Sequence, residues 1–373
     1  MMGIPIQTPL SLTLGECAVL KAIAHHDLTH HEQQALRAFN DAPWLLHHGL
    51  HTLVVDRVGA INPALATELK PHIALNVANA ALQSVALADL LAEINKRELS
   101  PPIVFKGSAF MHSLYDKPWL RPKTDHDVLI PESAREDYHR MLIENGFEAA
   151  LINHGPLLSY QSSYFKPLTP ACTLHVDLHW RISNRQQLRD LIDYPTIFNA
   201  SERQTIQAAN QASVAMHVPD PATALTLASV HLAGHHRGDE RLLWLFDIWQ
   251  LLETLSDAAS ERLIQQCAML QVSGLVLEYA NLSAYYFGEL SNKALTAELT
   301  QLAQGKEATQ RLLTRPHTRT RLFIWDLKAL PSLKTKAQFV HQTVFPPTEY
   351  LKHEFKTSSW WLAQWRRLIR RMY

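Results

Sequence analysis

At Pro101-Pro102 the chain changes from a helical to a strand-forming pattern, and the order of the segments on either side limits its fold more than any other feature. Proline fixes φ, lacks a backbone N–H and pushes the residue before it out of the helical region, so no helix continues through the pair. Before it, residues 11–97 carry apolar side chains at helical spacing with almost no strand signal, interrupted at Asn40-Asp41-Ala42-Pro43 and Asn62-Pro63. The last helix of that region is expected over residues 72–98. After the prolines, Ile103-Val104-Phe105 is a short β-type run leading into Lys106-Gly107-Ser108, and Ala109, Phe110, Met111 and Leu114 continue at helical spacing. The local pattern is strand, glycine turn, helix.

Asp125-His126-Asp127-Val128-Leu129-Ile130-Pro131 alternates, ends apolar and is stopped by proline, which describes a second strand. A helix is expected over 132–145, with acids in its first turn and Gly146 as its stop. Residues 147–153 and 157–165 suit a hairpin, and 173–180 is another strict alternation. Helices are expected over 221–235, 240–255, 258–287 and 293–313. The fold class is therefore α+β, a mixed β-sheet core flanked by helical N-terminal and C-terminal segments. The expected division is a helical segment over 1–99, the α/β core over 100–215 and a helical domain over 216–373. No internal repeat or low-complexity tract is present.

Two aspartates at i and i+2 on a strand project from one face, so Asp125 and Asp127 can share a divalent metal or bridge two. Asp177, in the other strongly alternating run and on one face with His175 and His179, is the candidate third carboxylate, as base or metal ligand. Backbone N–H groups of the Gly107-Ser108 turn, at the start of a helix, can meet phosphate oxygens. The Ser108 hydroxyl either adds a donor or caps that helix. Lys106 and Arg121 would supply positive charge. A DxD pair alone is more often a pair of solvated acids or a helix cap; here the surrounding order of elements favours the metal reading.

His231 and His235 stand at i and i+4, a spacing compatible with zinc, but no glutamate lies between them as a metalloprotease requires. Core packing is the leading expectation for the two, and a place near acceptor or nucleotide the next. Asp247, inside an apolar helix, should be paired, with Arg241 or a histidine as the expected partner.

Thirty-five basic residues balance thirty-five acidic ones, and no basic track suggests nucleic acid. Cys17, Cys172 and Cys267 stand far apart, so neither a disulfide framework nor a structural zinc site is read. With no signal peptide read at the N-terminus, the expected location is the cytoplasm. The most apolar segment, residues 74–94, is interrupted by Asn76, Asn79, Gln83 and Asp89 and reads as a helix of a soluble protein. At the C-terminus, residues 360–371 combine three tryptophans with four arginines. Docking on the body is the first expectation for this helix, and weak contact with a membrane or anionic partner the second.

The run Val104-Phe105-Lys106-Gly107-Ser108-Ala109, then Trp119-Leu120-Arg121-Pro122, then Thr124-Asp125-His126-Asp127-Val128-Leu129-Ile130-Pro131, resembles the uncharacterised nucleotidyltransferase family of the polymerase-β-like superfamily. That family reads as LKG, then RP, then DxDLLV. The likeness extends through His175-Val176-Asp177-Leu178-His179-Trp180-Arg181, His231-Leu232-Ala233-Gly234-His235 and the segment 241–248, to about Gly288. It implies Mg²⁺-dependent (or Mn²⁺-dependent) transfer of a nucleoside monophosphate from a nucleoside triphosphate, with ATP the expected donor, to a hydroxyl or phosphate of an unidentified acceptor. Asp125, Asp127 and Asp177 would hold the metal, and Lys106, Gly107, Ser108 and Arg121 the nucleotide. A small-molecule acceptor is favoured. The alternatives are a non-catalytic nucleotide-sensing or partner-docking protein, and a nucleotidyltransferase acting on protein or transfer RNA. A kinase-like core is disfavoured, because no Gly-rich loop or HRD-like segment is present.

Overall fold

The computed structural model describes residues 9–150, 155–305, 307–313, 318–348, 350–351, 356–357, 359, 361–362 and 365–366. The expected 360–371 helix lies largely outside these.

Four short helices lead in: α1 (Leu14–Ile23), α2 (His30–Ala38), α3 (Ala42–His48) and α4 (His51–Val58). The first two begin with reciprocal capping boxes, Thr13 with Glu16 and Thr29 with Glu32, which satisfy backbone N–H groups that a helix start leaves open. α5 (Pro63–Lys96) is much longer than the expected 72–98, since Asn62 caps it and Pro63 occupies its first position, where a missing N–H costs nothing. It buries Ala80, Gln83, Leu87, Leu91 and Ile94, a stripe at helical spacing. Full burial of each leucine there is worth about 1.5–3 kcal/mol.

By length and composition α5 is apolar enough to cross a membrane. Its polar side chains are nevertheless tied to other elements. Asn76 Nδ2 donates to the Trp119 carbonyl, Gln83 Nε2 to the Thr173 carbonyl, and Asp89 accepts from the Ala209 N–H. These bonds lay α5 along the sheet.

The sheet comprises β1 (Ile103–Phe105), β2 (His126–Leu129), β3 (Glu148–Ala149), β4 (Gln161–Thr169), β5 (Cys172–His179), β6 (Ser201–Gln207) and β7 (Ser213–Pro219), in the order β3-β4-β5-β2-β1-β7-β6. β2 runs parallel to β5 and β1 parallel to β7, while the other pairs are antiparallel, which makes the sheet mixed, as expected. α6 (Gly107–Ser113) follows β1, α7 (Arg135–Glu144) follows β2, and α8 (Tyr194–Asn199) precedes β6. The β6–β7 hairpin was not anticipated, and the expected boundary at 215/216 falls inside β7.

The remaining helices are α9 (Pro221–His231), α10 (Leu242–Thr254), α11 (Asp257–Leu270), α12 (Ser273–Phe287), α13 (Lys293–Ala303), α14 (Arg319–Ala329) and α15 (Leu333–Val344). The single helix expected over 258–287 is two, because Gln271 adopts a left-handed conformation with φ 54° and ends α11. The expected 293–313 helix stops at Ala303 and resumes as a 3₁₀ turn over Ala308–Leu312. α5 packs against β5, β6 and β7, and α9 against β7 and α10–α12, so one continuous hydrophobic core links sheet and helices.

Candidate active site

The parallel register of β2 and β5 sets Asp127 beside Asp177 and Leu129 beside His179. Side chains alternate along each strand, so Asp127, Asp177 and His179 share one face while His126 points to the other. One carboxylate oxygen from each aspartate and one imidazole nitrogen lie within 4.8 Å of one another, the group among the described residues that can hold a metal ion.

Two partners converge on Asp127 Oδ1: Lys106 Nζ donates at 2.7 Å and His179 Nε2 lies at 2.9 Å. Burial alone would push this carboxyl up, but Lys106 and His179 outweigh it and hold it well below the usual carboxylate range. His179 is itself driven below its ordinary value, by burial and then by Lys106. Asp177 accepts a hydrogen bond at Oδ2 from Gln161 Nε2, 3.2 Å away. Each aspartate therefore keeps an oxygen free of these bonds. Two carboxylates beside a histidine nitrogen are groups that can hold a divalent cation.

Asp125 immediately precedes β2 and lines the same cavity, although it lies outside the three-residue group. Burial, then the charges of Asp127 and Asp177, push its carboxyl up to about 6. Behind it, on the His126 face, burial pushes the Lys123 amine down to about 7. Lys123 Nζ is 2.9 Å from Gln83 Oε1 and 2.6 Å from His126 Nε2.

Lys106 joins β1 to α6 with φ 54° and ψ −138°, a backbone conformation rare for a residue with a side chain. This sharp turn sends its amine to Asp127. Gly107 is required by close approach, since a Cβ there would lie 2.2 Å from Arg121 Nη1. Ser108 does not cap α6; its hydroxyl donates to the Asp125 carbonyl at 3.1 Å and ties the glycine turn to the start of β2.

Arg121, expected to supply charge to the nucleotide, lines the same cavity and is held there by a buried ion pair. Its Nη2 donates to Asp247 Oδ2 at 2.7 Å, its Nε to the same carboxylate, and Tyr115 Oη donates to Asp247 Oδ1 at 2.7 Å. Asp247 is thus paired, but with Arg121 and Tyr115 rather than with Arg241 or a histidine. His231 and His235 are not one helical turn apart on a regular helix: α9 ends at His231, and Leu232–His236 form a π-helical turn. Such turns are frequent at functional sites. Here the turn brings His231, His235 and His236 to the lining of the same cavity, where the charge of Asp127 reaches His231.

His179 was not among the expected ligands. Its two-residue spacing from Asp177 on an alternating strand carried the signal.

The cavity enclosed by these walls has a volume of about 660 Å³. A family model described as an uncharacterised nucleotidyltransferase matches residues 42–288, which span the glycine turn, the carboxylates and the histidine wall. No curated protein matches the chain.

Proposed function

This chain belongs to the uncharacterised nucleotidyltransferase family, and we propose that it transfers a nucleoside monophosphate from ATP to a hydroxyl or phosphate of a small molecule, with Mg²⁺ or Mn²⁺. The observation that carries the reading is the pairing of Asp127 with Asp177 on adjacent parallel strands, next to a glycine turn whose lysine reaches the same site.

Asp127 and Asp177, with Asp125 at the rim, would hold the divalent ion, which when bound neutralises the triphosphate and the departing pyrophosphate. Lys106 adds a fixed positive charge where negative charge builds up. The Gly107-Ser108 turn offers backbone N–H groups at the uncapped start of α6. The acceptor oxygen attacks the α-phosphorus, the bond from that phosphorus to the bridging oxygen breaks, and pyrophosphate leaves with the electron pair. The acceptor proton passes to a carboxylate, for which Asp177 is the assigned base. On this reading residues 100–215, completed by β7, form the catalytic core, and residues 216–373 add to the cavity lining.

A cavity of about 660 Å³ is sized for a nucleotide with a small acceptor, within the ~300–1,000 Å³ of small-molecule sites. The three free cysteines suit a reducing cytoplasm.

Calorimetric titration of ATP, GTP, CTP and UTP with Mg²⁺ into the native chain and an Asp127→Asn, Asp177→Asn double variant tests this. Metal-dependent binding of ATP that disappears in the variant is the expected result. Absence of metal-dependent binding of any nucleotide to folded native protein, with Mn²⁺ as well, would sink it.

A further inference from the structure

The helical part of the cavity lining carries a second cluster of polar side chains. The His231 ring lies 5.3 Å from His235 and 4.9 Å from His236, and His236 lies 4.5 Å from Trp244. The Arg241 guanidinium sits 5.5 Å from the Trp244 ring. All five side chains line the cavity.

Two of these imidazoles have unspent hydrogen-bonding capacity. His235 Nε2 is 2.9 Å from Ser183 Oγ, but His231 and His236 make no hydrogen bond among the described residues. Arg241 likewise has no acidic partner among them, unlike Lys106, which is held by Asp127, and Arg185, which is held by Asp326. His51 lines the same cavity at 8% exposure, and its Nδ1 meets no partner among the described residues.

Two acids bear on these imidazoles, and at His231 the charge of Asp127 is opposed by that of Lys106. Asp247 is occupied by Arg121 and Tyr115, and Glu240 accepts from the Gly238 N–H and from Tyr279 Oη. Asp239 is the acid whose charge reaches His236, where Lys106 and Arg241 oppose it. The α10 helix begins at this wall, with Arg241 as N-cap residue and no side-chain cap. Its positive end adds to the field of the arginine. An open guanidinium and two open imidazoles on one stretch of the cavity lining form a recognition surface for an anion.

We propose that His231, His236 and Arg241 bind an anionic group, a phosphate or carboxylate, carried by the acceptor. The acceptor is then a phosphorylated or carboxylated small molecule, held by its anion on the helical wall with its nucleophilic oxygen toward Asp177. This rests on the nucleotidyltransferase reading of the sheet wall and names the acceptor's chemical class.

The test is a calorimetric titration of inorganic phosphate into the full chain saturated with Mg²⁺ and a non-hydrolysable α,β-methylene ATP analogue. Phosphate should bind the loaded native chain at one site. Arg241→Gln and the His231→Gln, His236→Gln double variant, each checked for native circular dichroism, should weaken it at least tenfold while changing analogue affinity less than twofold. Phosphate that does not bind the loaded native chain, or binds the variants equally well, overturns the proposal. Variants that lose the analogue instead assign this wall to the donor's phosphates or base, which also overturns it. If the native chain binds no analogue, the donor reading fails separately, and phosphate titration of the unloaded native chain and variants still decides the anion site by the same tenfold criterion. Should Arg241→Gln fold poorly, Arg241→Lys, which keeps charge but not the fork, must weaken phosphate by a smaller factor than the histidine pair.

Discussion

Arg121 and Asp247, 126 positions apart, form a buried ion pair at 2.7 Å that joins the loop before β2 to the centre of α10. Both side chains are almost wholly enclosed, with Tyr115 donating to the same carboxylate. A charge taken out of water is tolerated when partners replace the lost hydration, and removing one partner strands the other. Asp247→Ala is therefore expected to destabilise the chain by about 3–5 kcal/mol, and Tyr115→Phe by about 1 kcal/mol, the worth of one hydrogen bond. Urea unfolding checks both. A loss under 1 kcal/mol for Asp247→Ala would show that Arg121 finds water or another partner.

The same arginine makes Gly107 irreplaceable. A methyl group at Gly107 would overlap Arg121 Nη1, and the guanidinium cannot swing away while Asp247 holds it. Gly107→Ala should cost about 2–3 kcal/mol by overpacking. It should also be non-additive with Asp247→Asn by more than about 0.5 kcal/mol, since the second change releases the first clash. Additive effects in the double-mutant cycle would rule out this coupling.

Asp127, Asp177 and the lysine turn were legible in the sequence because strand alternation and a glycine between strand and helix are local signals. His179 carried the same two-residue signal as Asp177, yet its approach to Asp127 depends on which strands become neighbours and in what register. The partner of Arg121 was hidden for a related reason: local sequence announces that an acid in an apolar helix needs a partner, not which distant one it meets. β6 escaped notice because it is an edge strand with mostly polar, exposed side chains, whereas the inward Val214, Met216 and Val218 of β7 do alternate. The break at Gln271 lacks glycine or proline, so nothing local marked it. The π-helical turn at Leu232–His236 spoiled the i, i+4 argument for His231 and His235 because that spacing presumes a regular helix.

Burial also shapes the acid side of the stability curve. His48, His51 and His112 are each pushed down to about 4 by burial, before the smaller effects of neighbouring charges. An unfolded histidine titrates near 6.5, so each of these three binds a proton more readily in the unfolded chain. Their contribution to stability is fully present above about pH 6.5 and is lost as pH falls toward 4, where the folded chain also protonates. Each steepens the loss by up to about 1.4 kcal/mol per pH unit in that window. Urea midpoints measured from pH 7.5 to 4.5 should fall, and less steeply for His112→Gln. A flat profile for the native chain would show that these rings are hydrated.

Asp326, on α14 and beyond the family-matched region, holds a segment that lines the cavity. It accepts from the Gln186 N–H at 2.9 Å and from Arg185 Nη1 at 3.1 Å, and Arg185 Nε donates to the Gly234 carbonyl within the π-helical turn. One carboxylate therefore fixes both the loop that carries Ser183 and the turn that carries His235, which are themselves joined at 2.9 Å. Asp326→Ala removes both acceptors and leaves Arg185 with the Gly234 carbonyl. Amide hydrogen exchange should accelerate at least tenfold in residues 183–188 and 232–236 while β2 and β5 keep their protection, because local opening there no longer breaks the Asp326 bonds. Asp326→Asn, which keeps an acceptor for the Gln186 N–H, should give a smaller effect. Equal acceleration throughout the sheet would instead make Asp326 a contributor to global stability alone, with no particular hold on the histidine wall.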